Sequence, residues 1–170
     1  MLEHRQILIR KTLDDECANA VIAKLLFLSM ADASRPITVF IDSPGGSITA
    51  TLAIFDTILF IDAPVHTWVT GSANGTALWL LAAGAAGTRF VMRGSLLTIE
   101  PTRVTGDQTG DLAMVSKLME DMAAKLASRS RMSESEVLGY LQSGGRAFTA
   151  EEAIERGIAD HISDSPPVWG

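Results

Sequence analysis

Ile37-Thr38-Val39-Phe40-Ile41-Asp42-Ser43-Pro44-Gly45-Gly46 is the stretch on which the fold is read. A β-branched run of strand length runs straight into a Pro-Gly-Gly turn. An apolar helical pattern over 48–61 follows at once. That is the strand–turn–helix unit of an α/β protein.

The same alternation extends on both sides. Upstream, 5–9 reads as a short strand, and Thr12 with Asp15 three residues later forms a capping-box signal for a helix reaching about residue 31. Downstream, 65–69 is a strand, about 74–85 a helix, and 89–92 and 96–99 are strands. Such a series implies parallel strands joined by right-handed crossovers. The remainder is mostly helical, with a long helix over 111–129 and a shorter one over 134–141. Thr149 and Glu152 form a second capping signal, and Gly157 a C-terminal stop. The stretch 163–170 holds two prolines and reads as a loosely ordered tail.

At 170 residues, with 47% hydrophobic and 20% charged residues, the chain has the composition of one soluble globular domain. The net charge of −6 argues against nucleic acid or an anionic membrane surface as partner. The single cysteine, Cys17, excludes an internal disulfide and fits a reducing compartment. No secretory leader is read at the start, and the apolar run 77–86 is too short to span a bilayer. The location expected is cytoplasmic, or a plastid stroma.

Two glycine-bearing turns fall at the C-terminal ends of apolar strands, where open α/β sheets place their sites. They are Ser43-Pro44-Gly45-Gly46 and Gly71-Ser72-Ala73-Asn74-Gly75-Thr76-Ala77. Together they can aim two backbone N–H groups at one oxygen, as an oxyanion hole does. Neither is a phosphate loop, because no Lys-Ser/Thr pair or G-x-G-x-x-G spacing accompanies them. No cofactor motif or metal-ligand cluster is read.

Four segments carry a closer resemblance. They are 40–50 (Phe40 to Ala50), 52–57, 71–85, and the closing pair Arg146-Ala147-Phe148-Thr149-Ala150-Glu151-Glu152-Ala153 and Gly157-Ile158-Ala159-Asp160. In this order they resemble the proteolytic subunit of the Clp protease (ClpP), over nearly the whole chain. The resemblance implies a crotonase-like α/β core and a protruding handle helix. It divides the chain into a head of about 1–99 and 141–162, a handle of about 100–140 and the tail 163–170. It also implies seven-membered rings, paired around a chamber and served by a Clp-type AAA+ ATPase.

The resemblance assigns the catalytic serine, histidine and aspartate of that family to positions held here by Gly75, Glu100 and Leu141. No acidic residue occurs from 137 to 150. Ser-His-Asp chemistry needs a hydroxyl, a base and an orienting carboxylate, so the expectation is a ClpR-like subunit without catalysis. Gly46 and Thr76 would keep the two oxyanion-hole amides. The expected partners are other copies of the chain, catalytically active ClpP subunits, or both. Alternatives are an active hydrolase or acyl-transfer enzyme using Ser72, Thr76 or Glu100, and an oligomeric scaffold unconnected to proteolysis.

Leu112, Val115, Met119, Met122 and Leu126 recur at spacings of 3, 4, 3 and 4 along the long helix. The resemblance gives this stripe to contacts with the opposing ring. It gives the glycine-bearing stretch 104–110 a place at the same interface, and the uncharged 142–145 replaces a charged segment used there. It also matches Thr38 and Phe40 to a pair of tyrosines near the ATPase-docking pocket, and expects the axial loops that precede the first strand to be missing.

Overall fold

The computed structural model describes residues 3–101 and 112–165. Strand β1 (Gln6–Ile9) leads into helix α1 (Asp15–Ala31), β2 (Ile37–Ser43), α2 (Ile48–Phe60), β3 (Val65–Ala73), α3 (Ala77–Ala83) and β4 (Arg89–Met92). Next come β5 (Leu96–Ile99), α4 (Leu112–Ser128), α5 (Glu134–Gln142), β6 (Arg146–Phe148), α6 (Ala150–Glu155) and β7 (His161–Ser163). The strands run in the order β1-β2-β3-β4-β7, all parallel, while β5 pairs with β3 and antiparallel β6 pairs with β5. This is the mixed α/β architecture that the alternation predicts, consistent with a ClpP/crotonase-like fold.

Strand alternation decides which residues enter the core. Ile7, Ile9, Ile37, Val39, Ile41, Val65, Thr67, Val69 and Val91 are all buried. The Thr67 hydroxyl donates to the Leu81 carbonyl of α3 at 2.8 Å, which identifies this as the face under the helices. α3 is buried along its full length and is the central helix of the core. Its Trp79 indole donates to the Met122 carbonyl at 2.8 Å and ties α4 to the sheet layer. Met122, Ala123 and Leu126 of α4 are therefore part of the chain's own core, whereas Met114 is 63% exposed.

Three guanidinium groups close the ends of elements. Arg5 is buried and donates to the carbonyls of Leu28, Asp32, Arg35 and Pro36, absorbing the loose end of α1. Arg129 does the same for α3 through the carbonyls of Ala82, Ala83 and Gly84. Arg89 forms a two-pronged pair with Asp160, 2.6 Å at the shorter contact, and so fastens β4 to the segment before β7. Burial pushes the Asp160 carboxyl up. The side-chain and backbone bonds from Arg89, its charge and the Gly87 amide together outweigh that and hold it below the usual carboxylate range.

Several expectations are corrected. The N-cap of α1 is Asp14, whose carboxylate accepts from the Cys17 amide at 2.7 Å, and not Thr12. Leu13 must stay extended because it forms a parallel bridge with Gly46, so the helix cannot start earlier. β3 continues through Ala73, beyond the predicted end at 69, because its last residues pair with β5. α3 is shorter than 74–85 at both ends. Asn74, Gly75 and Thr76 form the entering turn, and Gly84 leaves the helix where a side chain would strike Thr67. The short strands β6 and β7 carry too few residues to show a period and were not anticipated. Ser163 belongs to β7, and Asp164 pairs with Arg93. The capping box at Thr149 and Glu152 and the left-handed Gly157 are as expected. The stretch 104–110 and the tail beyond residue 165 lie outside the described residues.

We predict that Asp160→Asn destabilises the fold by about 3 kcal/mol, because it leaves the Arg89 guanidinium half-paired in a mostly buried setting. A depressed carboxyl contributes stability above the unfolded pKa and loses it as the pH falls. The native chain should therefore lose urea resistance below about pH 4 more steeply than the variant. Parallel midpoint-versus-pH curves for the two proteins would rule out this role for the pair.

Candidate functional site

The site is built where two chain turns meet. At the end of β2, Gly45 accepts from the Leu13 amide at 2.9 Å, and Leu13 accepts from the Ser47 amide at 2.7 Å. The turn is thus stitched to the β1–α1 connection. At the end of β3, the Asn74 amide donates to the Ser43 carbonyl at 3.0 Å, which pulls the second turn against the first. The crowding permits no side chain at Gly45 or Gly46. A Cβ on Gly46 would lie 2.3 Å from the Leu13 carbonyl oxygen, and one on Gly45 would lie 2.5 Å from that of Asn74.

Gly75 is different. Its φ of +52° is left-handed, but a Cβ there would meet nothing closer than Glu100 Oε2 at 3.5 Å. Its amide donates to the Thr98 hydroxyl at 3.3 Å, and that hydroxyl donates to Asn74 Oδ1 at 3.2 Å. The turn therefore presents position 75 into open space with its backbone fixed, and no side chain occupies that space.

The open space is a cavity of about 460 Å³. Gly46, Gly75, Thr76, Glu100, Met122 and Leu141 are among its lining residues. Positions 75, 100 and 141, far apart in the chain, thus surround one volume. Glu100 is exposed, and Leu141 is 3% exposed and contributes only an apolar wall. No histidine lines this cavity. His66 is on β3, where burial pushes its imidazole below the ordinary value, and His161 is on β7 against the Gly87 carbonyl. His4 is exposed near the start of the chain.

The two expected amide donors are in unequal states. The Gly46 amide donates to the Thr76 hydroxyl at 3.1 Å. That hydroxyl also accepts from Thr51 at 2.9 Å. The Thr76 amide donates to no group among the described residues. Of the two amides expected to act as a pair, one is therefore taken by a neighbouring side chain and the other has no partner among the described residues. Of the displaced nucleophiles considered from sequence, Ser72 is outside the cavity lining and donates its hydroxyl to Asp42 at 3.2 Å. Thr76 is inside it, but its hydrogen-bond partners are Gly46 and Thr51, neither of them a base.

Sequence reasoning missed Thr51, Thr98 and Trp79. Thr51 and Thr98 look like ordinary residues of an apolar helix and strand, and Trp79 like any core aromatic. Thr51 precedes Ile54, Phe55 and Ile58 by three, four and seven residues, and that place on the apolar stripe of α2 is the signal the sequence offers.

A family model described as Clp protease matches residues 1–166. The chain belongs to the Clp protease family. It is 35% identical over 167 residues to the ATP-dependent Clp protease proteolytic subunit 2 of Streptomyces avermitilis, spanning 95% of this chain and 84% of that protein. It is 37% identical over 173 residues to the proteolytic subunit 1 of Corynebacterium diphtheriae, spanning 96% of this chain and 81% of that protein. It is 35% identical over 169 residues to the proteolytic subunit 2 of Tropheryma whipplei, spanning 95% of this chain and 92% of that protein. Among the described residues no helix is long and apolar enough to cross a membrane.

The two glycine turns should respond differently to substitution. Gly46→Ala is expected to cost more than about 3 kcal/mol, because the Leu13 backbone must move. Gly75→Ala should cost only about 1 kcal/mol, the price of a left-handed conformation with room for the methyl. Thermal or urea denaturation of the two variants checks the contrast, and equal losses would contradict the geometry.

Proposed function

We propose that this chain is a non-catalytic, ClpR-like subunit of a Clp protease, with a structural or regulatory role in ATP-dependent proteolysis. The observation that carries the reading is the content of the cavity. The positions that the resemblance gives to nucleophile, base and orienting acid all face one volume, and they hold a glycine, a carboxylate and a leucine. Gly75 offers no atom to attack a carbonyl. A carboxylate stands in place of imidazole, no hydrogen bond joins it to a hydroxyl among the described residues, and Leu141 orients nothing. Loss of triad members costs on the order of 10⁴–10⁶ in rate. The fold and the turns remain because the surface, not the cavity, carries the selected function.

The head of about 1–99 and 141–162 would build a seven-membered ring, alone or with catalytically active ClpP subunits, in the cytoplasm or a plastid stroma. The handle of about 100–140 would meet a second ring. In α4 the stripe divides by use. Met122 and Leu126 are spent on the chain's own core, whereas Val115 and Met119 are half-buried and Met114 is exposed. This outer half is the part left to meet another subunit. Methionines suit such a contact, since their side chains adapt to a non-identical partner. A Clp-type AAA+ ATPase would act on the assembled ring.

The reading is tested with the purified chain and a fluorophosphonate probe. We expect no covalent label by intact mass spectrometry. Stoichiometric label on Ser72 or Thr76 would favour the hydrolase reading instead. Co-expression with an active ClpP subunit of the same genome should then give a mixed ring by native mass spectrometry. Met119→Glu should weaken pairing between rings while leaving single rings whole. Absence of any mixed assembly would point to a scaffold outside proteolysis.

A further inference from the structure

A second pocket opens at the start of β4, at the end of the parallel strands opposite the glycine turns. Its volume is about 230 Å³, and Arg89, Arg129, Arg131 and Asp160 are among its lining residues. It lies where the α4–α5 turn meets the turn between α6 and β7.

Each arginine is held by acceptors of its own. Arg89 has a side chain only 9% exposed and gives its three nitrogens to Asp160 and to the Arg129 carbonyl. Arg129 is half-buried, and its Nε and Nη2 donate to the carbonyls of Ala82, Ala83 and Gly84. Its Nη1 has no hydrogen-bond partner among the described residues. Arg131 is pinned through its amide to the Arg156 carbonyl at 2.7 Å and through Nη1 to the Glu155 carbonyl at 3.4 Å. A Cβ on Gly157 would lie 2.9 Å from Arg131 Cγ, so that glycine leaves room for the arginine stem. Nε and Nη2 of Arg131 remain without a hydrogen bond among the described residues.

The charges in this pocket do not balance. Three guanidinium groups meet one carboxylate, Asp160, which Arg89 already engages from two sides. Neither Arg129 nor Arg131 forms an ion pair among the described residues. Burial pushes the Arg129 guanidinium below its ordinary value, and the Arg89 charge pushes the same way against Asp160. Carbonyl dipoles satisfy N–H groups without supplying the counter-charge that a desolvated cation needs. Two positive charges are thus left unbalanced in a chain whose net charge is −6. A carboxylate would offset one of them. A phosphate group carries about −1.5 to −2 at neutral pH and accepts hydrogen bonds from several directions, which suits forked arginine donors. At about 30 Å³ per water, the volume has room for such a group and several waters.

We propose that this pocket binds a phosphate group, free or carried by a small monoester, through Arg129 and Arg131. Bound there, the anion would tie the end of α4 to the turn after α6. The site does not depend on whether the cavity at the glycine turns is catalytic, and its test has no activity readout.

The full chain, dialysed free of phosphate, is titrated by calorimetry with inorganic phosphate and with glycerol phosphate, at an ionic strength fixed with chloride. We expect saturable binding of one phosphate group per chain, and a thermal midpoint that rises with phosphate but not with chloride. Arg131→Gln should keep the circular dichroism of the full chain and bind at least ~10-fold more weakly, the loss of one charge-assisted hydrogen bond. Arg131→Lys should recover part of that loss. Arg35→Gln, which removes an exposed arginine elsewhere, should bind as the full chain does. Tighter binding of the ester would identify a phosphorylated small molecule as the ligand, and tighter binding of the free ion would identify phosphate itself; either supports the site. Absence of saturable binding with both probes, or equal affinity in Arg131→Gln and the full chain, would overturn the proposal. A loss in Arg35→Gln as large as that in Arg131→Gln would also overturn it, because the attraction would then be a diffuse surface effect.

Discussion

The close passage of three backbone segments at Gly45 and Gly46 is the constraint on which the rest of the structure depends. The β2–α2 turn is hydrogen-bonded on one side to the β1–α1 connection at Leu13 and on the other to the β3–α3 turn at Asn74. Each bond fixes the exit of one strand relative to the next. A side chain at either glycine would overlap a carbonyl oxygen of a neighbouring segment. The parallel sheet, the direction in which α2 and α3 leave it and the position of the cavity all follow from that packing.

The cavity inherits its shape from this stitching and its chemistry from other elements. β5 delivers Glu100 just past its end, α4 delivers Met122, and α5 delivers Leu141. The polar groups that remain are turned inward on each other: Thr76 on Gly46 and Thr51, Thr98 on Asn74. A wall of this kind satisfies its own backbone donors and leaves little to polarise a substrate. The exception is the Thr76 amide, which donates to no group among the described residues.

The elements legible in the sequence were those with a strong local cause. The β-branched run before Pro44 could only be a strand, and the Thr149–Glu152 box and Gly157 mark α6 through local backbone chemistry. Gly75, Glu100 and Leu141 could be aligned with one another's roles by motif order alone, and the fold does gather them at one cavity. The errors have a shared origin. Thr12 lost the cap of α1 to Asp14 because Leu13 is held in a bridge with a residue more than thirty positions away. β3 ran long, and β6 and β7 formed at all, because a partner strand was present to receive them. Half of the α4 stripe was absorbed by Trp79 and the core rather than left for another subunit.

The sequence by itself determined the strand–helix alternation, the two glycine turns and the identity of the residues at the three aligned positions, because each rests on steric and hydrogen-bonding preferences within a few residues. Only the tertiary structure decided how those parts bear on one another. It showed that Gly46 admits no side chain while Gly75 has room for one, although both are turn glycines in the sequence. It showed that the Thr76 hydroxyl takes the Gly46 amide as a hydrogen-bond donor. It also gathered Arg89, Arg129 and Arg131, from two distant segments, around one pocket. Registers, close approaches and shared cavities are properties of contacts between distant segments, and no local pattern encodes them.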